Sequence, residues 1–117
     1  MALSTASNDV ISSDHVEGTA VYSNDGDKLG SIDNLMIDKR SGQVQYAVLE
    51  FGGFLGMGMD RYPIPWRILK YEPRMGGYIV PIEKARLENA PKYRDDAAPP
   101  YDRDYGRQID SYYEPIM

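Results

Sequence analysis

The chain has 117 residues, enough for one domain of roughly 100–200 residues. It carries no cysteine and one histidine, which excludes disulfide frameworks, thiolate metal centres, cysteine nucleophiles and a multi-histidine metal site within one chain. Thirteen Lys and Arg against eighteen Asp and Glu give a net charge of −5, the wrong sign for nucleic-acid binding through the overall field.

In chain order, residues 1–9 are small and polar and read as a flexible arm. Residues 1–13 lack the basic and apolar blocks of a secretory signal. No apolar run approaches the roughly 18 residues of a membrane span, so a cytoplasmic protein is expected. Gly18 to Tyr22 alternates weakly as a strand. Ser23-Asn24-Asp25-Gly26-Asp27 follows, and Asp-Gly between two strand-like runs signals a hairpin. Lys28 to Asp38 is the partner strand. Its apolar residues Leu29, Ile32, Leu35 and Ile37 slip out of period two near Asp33-Asn34, which predicts a β-bulge.

Lys39 to Gly42 forms a second turn. Gln43 to Phe51 is apolar on both faces and should be a buried strand. Glu50 lies inside it and is expected to point out or to pair with an arginine such as Arg61 or Arg67. Asp60 to Pro65 contains Pro63 and Pro65, which suits an edge or a strand start. Trp66 to Tyr71 and Tyr78 to Ile82 read as short strands, and Lys84 to Asn89 as one or two helical turns. About six short strands with turns every 8–12 residues predict an all-β fold, a small antiparallel barrel or sandwich.

Composition changes at Asn89-Ala90-Pro91. The globular body is therefore expected over residues 10–88, with a Pro/Tyr-rich tail over 89–117. Tyr101, Tyr105, Ile109 and Tyr112 recur at helical spacing, with Tyr113 beside them, and predict a short helix at about 101–113. Pro99, Pro100, Asp102 and Asp104 suit its N-terminus. Gly106 weakens it by about 1 kcal/mol. So short a stripe is unstable alone and should dock on protein, its own barrel or a neighbour's.

Candidate sites follow from what the loops carry. Gly52 to Asp60 holds four glycines, but neither Gly-x-Gly-x-x-Gly spacing nor a following Lys-Ser/Thr, so it is not a phosphate loop. It carries Phe54, Leu55, Met57 and Met59, and an apolar loop tip calls for a cover: the tail, a second copy or another protein. Asp14-His15 has no accompanying nucleophile motif, and Asn24 to Asp27 lacks the glutamate of a calcium loop. No catalytic, cofactor-binding or metal-ligating residue is assigned. A small-ligand cleft beside Gly52 to Gly58 would have to draw on Asp60, Arg61 or His15. Interaction residues are expected among Phe54, Leu55, Met57, Met59, Trp66, Tyr101, Tyr105, Ile109, Tyr112 and Tyr113.

One ordered string of residues resembles a known family. Asp25-Gly26-x-x-x-Gly30-x-Ile32, Ile37-Asp38, Tyr46-Ala47-Val48-Leu49-x-Phe51-Gly52-Gly53-Phe54-Leu55-Gly56-x-Gly58 and Pro63-x-Pro65-Trp66-x-x-Leu69 look like the PRC-barrel domain. The tail resembles the extension of stand-alone bacterial members. The resemblance implies a six-stranded β-barrel that serves as a non-enzymatic protein-interaction or assembly module, without cofactor. It is similar to the cytoplasmic part of the photosynthetic reaction-centre H subunit and to the C-terminal part of the ribosome-maturation factor RimM. A soluble accessory of a membrane photosynthetic or electron-transfer complex is the alternative expectation, and a ribosome or RNA-maturation accessory or a small-ligand binder a weaker one. The partner is a protein, a homodimer included, with no nucleic acid expected.

Overall fold

The computed structural model describes residues 10–51 and 60–117. A one-turn helix α1 (Ser13–Val16) leads into β1 (Ala20–Tyr22) and β2 (Lys28–Ile37). Then come β3 (Val44–Phe51), β4 (Asp60–Pro65), a 3-10 turn (Trp66–Ile68), β5 (Lys70–Glu72) and β6 (Gly77–Ile79). Helix α2 (Lys84–Glu88), β7 (Tyr93–Arg94), α3 (Arg103–Tyr113) and a last 3-10 turn (Glu114–Ile116) complete the chain.

All seven strands lie in one sheet, in the order β5-β6-β1-β2-β3-β4-β7. The fold is the expected β-barrel type with a short C-terminal helix, although the end strands β5 and β7 are not paired to each other. Two details differ from the six antiparallel strands of the sequence reading. Strand β1 pairs with β6 in parallel, and the tail supplies a seventh strand, β7, against Asp60 and Arg61. Two residues are too short to leave a periodic signal, and strand direction leaves none.

The local chemistry explains most boundaries. Gly26, at φ +89°, sits in the β1–β2 loop, where its N–H donates to the Ser23 carbonyl at 3.0 Å. The β2–β3 register shifts between Ile32 and Asn34, where the bulge is expected. Gly30 has no room for a side chain, since a Cβ there would run into the Glu50 carbonyl oxygen. Strand β4 pairs along its whole length with β3, but with β7 only at Asp60 and Arg61. Pro63 and Pro65, which lack an N–H, fall on the stretch that needs no second neighbour. After Pro65 the chain turns rather than continuing as a strand, and the Leu69 N–H donates to the Trp66 carbonyl at 3.0 Å. The strand expected over Trp66 to Tyr71 is thereby reduced to Lys70–Glu72. Pro81 similarly confines the strand expected over Tyr78 to Ile82 to Gly77–Ile79.

The core gathers Val21, Ile32, Leu49, Ile64, Val80 and Leu87, each at most 1% exposed. Ile109 and Tyr113 of α3 belong to the same cluster and are fully buried.

Candidate interaction surface

Helix α3 is positioned by its own start signal and by its apolar face. The Asp102 carboxylate caps it, accepting from the Tyr105 N–H at 2.9 Å. Ile109 and Tyr113, four apart, point into the core against the β4 side of the sheet, while Tyr105 and Tyr112 are half-buried. The fully buried line therefore runs to Tyr113, with Tyr112 at its margin; from Ile109 both lie on the same helix face. Gly106 has a packing role, because a Cβ there would lie 3.1 Å from the Tyr46 hydroxyl. Tyr112 joins α3 to α2, and its hydroxyl donates to the Arg86 carbonyl at 2.5 Å. The Arg86 guanidinium sits 5.4 Å from the centre of the same ring.

Tyr101 precedes the helix. Its ring lies 5.1 Å from that of Tyr105 and 6.0 Å from that of Tyr46, and its hydroxyl is 2.7 Å from that of Tyr93 in β7. Burial pushes the Tyr105 hydroxyl up to about 12 and raises those of Tyr101 and Tyr113 as well. Among the described residues, the buried hydroxyls of Tyr105 and Tyr113 have no hydrogen-bond partner. The tail tyrosines are thus an intramolecular packing layer on the chain's own barrel.

Strand β5 is the opposite case. It pairs with β6 on one side and with no described strand on the other. Tyr71 is 54% exposed and Met75, at the hairpin tip, 37%. The Tyr71 ring meets Tyr78 edge-on at 5.3 Å, and Tyr78 meets Trp66 at 5.5 Å, so three rings run in a row to the sheet edge. Of the expected interaction residues, only Trp66 stands in this row. The sequence does not single out Tyr71, because one tyrosine in a three-residue strand has no periodicity to reveal its exposure. Phe54, Leu55, Met57 and Met59 lie outside the described residues.

The polar residues weighed for a ligand cleft are committed to ion pairs or to solvent. Arg61 gathers three carboxylates: Glu50 at 3.2 Å, Asp33 at 3.5 Å and Asp95 at 3.9 Å. The Arg61 Nη1 is close to Glu50 in charge terms, but its geometry makes no hydrogen bond. Burial, with Asp33 alongside, raises the Glu50 carboxyl above the usual range, and Arg61 only partly offsets this. Asp60 pairs with Lys92 at 3.6 Å. His15 is an exposed residue of α1. An open cleft of about 330 Å³ lies between Arg67, Lys70, Ile79 and Met117, beside the β5 edge.

The family model of the PRC-barrel domain matches residues 8–87. The chain belongs to the PRC-barrel family. Comparison with curated proteins finds no match. PRC-barrel domains are in general protein-interaction modules and generally non-catalytic. The match ends before β7 and α3, so the segment that supplies Ile109 and Tyr113 to the core lies outside the family's own stretch. No helix among the described residues is long and apolar enough to cross a membrane.

Proposed function

We propose that this PRC-barrel chain is a non-enzymatic assembly module that binds protein through the free edge of its sheet, with its tail sealing another face. The supporting observation is the aromatic row Trp66-Tyr78-Tyr71, which ends in a half-exposed ring on a strand whose outer edge has no partner among the described residues. An enzyme of this size would instead concentrate convergent polar groups in a cleft. Here Asp60 and Arg61 are held by Lys92 and by three carboxylates.

The test is cross-linked capture from cell extract, comparing wild type with Tyr71→Asp and with Phe54→Asp/Leu55→Asp. One stoichiometric protein partner, or the chain itself, should be recovered by wild type. Loss with Tyr71→Asp assigns the sheet edge, and loss only with the loop variant moves the surface to residues 52–59. No recovered protein, together with thermal stabilisation by a metabolite or nucleotide, would overturn the module reading in favour of a ligand binder.

A further inference from the structure

We infer that β5 pairs with the β5 of a second copy of this chain, antiparallel about a two-fold axis through Tyr71. The inference rests on the assembly-module reading and specifies its surface and its partner.

The sequence of the edge selects this occupant. An unpaired strand edge is a template for another strand, and charges normally blunt it. Here the three residues are Lys70, Tyr71 and Glu72. In an antiparallel pair centred on residue 71, positions 70 and 72 stand directly opposite each other. Lys70 of each copy therefore faces Glu72 of the other, twice by symmetry, and opposite charges across strands attract. A parallel pairing in register would instead set Lys70 against Lys70 and Glu72 against Glu72, and is disfavoured. The charges that repel a random strand thus admit a second copy in one orientation.

The rings agree with the charges. Tyr71 lies on the opposite face of the strand from Lys70 and Glu72. Across the axis the two Tyr71 rings would be direct neighbours. The row Trp66-Tyr78-Tyr71 in one copy would then continue into Tyr71-Tyr78-Trp66 of the other. The 54% exposure of Tyr71 is the surface this contact covers. Three residues make a small interface, so the dimer belongs to the weak, reversible class.

Sedimentation velocity of the full chain up to about 1 mM, a range in which weak association is still read, tests the pairing. Wild type should be dimeric at the upper end. Lys70→Glu alone and Glu72→Lys alone should each weaken association about tenfold or more, because each turns two attractive pairs repulsive. Mixing the two single variants should restore association, since one chain then presents only acidic and the other only basic edges. Thermal melts of each variant verify folding, and Lys70 is exposed in the structure. A wild type that stays monomeric overturns the inference. So does a dimer that the single variants leave intact, or a mixture that fails to associate. In those cases a partner captured as above leaves the module reading standing; no capture together with thermal stabilisation by a metabolite or nucleotide overturns both.

Discussion

Arg86 and Tyr112 hold each other from opposite ends of a 26-residue span: the tyrosine hydroxyl donates to the arginine carbonyl at 2.5 Å, and the guanidinium lies 5.4 Å from the tyrosine ring centre. The next residue, Tyr113, is fully buried, and its hydroxyl has no partner among the described residues. Adjacent tyrosines therefore make opposite predictions. Tyr112→Phe removes a formed bond and should destabilise the chain by about 0.5–1.5 kcal/mol. Tyr113→Phe removes an unpaired buried hydroxyl and should be neutral or stabilising by about 1 kcal/mol. Urea unfolding of both variants checks the contrast, and an equal loss in the two contradicts it.

Ile109 joins α3 to the core with no exposed surface. Ile109→Ala should cost about 2–5 kcal/mol, the range for truncating a buried aliphatic side chain. A loss under about 0.5 kcal/mol, typical of a surface site, would mean that α3 is not core.

Glu50 sets a pH dependence. Its folded carboxyl is raised above the ordinary value, chiefly by burial. The fold thus favours the protonated form. That contribution is fully present below the ordinary glutamate value and is lost as pH rises through the raised one. Glu50→Gln mimics the protonated state and leaves Arg61 its contacts with Asp33 and Asp95. The variant should melt above wild type at pH 7, with the gap closing below about pH 4. A variant that melts lower at pH 7 would show that the Arg61 pair outweighs the burial cost.

The tail tyrosines make the opposite end of the scale informative. Tyr105 ionises only near 12, with burial as the first cause, and Tyr101 and Tyr113 are raised too. Their stabilising contribution is complete below about 10 and is lost as pH rises through the folded values. Absorbance titration at alkaline pH should show these raised phenols ionising only together with loss of the fold. A single transition of all ten tyrosines near 10 would contradict the burial of the tail.

Much of this was legible in the sequence because strand alternation and turn chemistry are local. The Asp25-Gly26 turn, the bulge near Asp33-Asn34, the doubly apolar strand ending at Phe51 and the helical spacing of Tyr105 and Ile109 each carry their cause in neighbouring residues. What depends on distant pairing was not legible. The parallel β1–β6 contact, the two-residue β7 and the addition of Asp33 and Asp95 to the expected Glu50–Arg61 pair have no local periodicity. The exposed edge at Tyr71 was hidden for the same reason. A ten-tyrosine chain does not reveal which rings seal its core and which reach its rim.

The division between a sealed tail face and a free sheet edge depends on α3 being part of the folded core, and native-state hydrogen exchange reads this directly. The amides from Ile109 to Tyr113 should exchange as slowly as those of Val48 and Leu49 in β3, opening only with global unfolding. Exchange of these α3 amides at the rate of a free peptide, with β3 still protected, would contradict it.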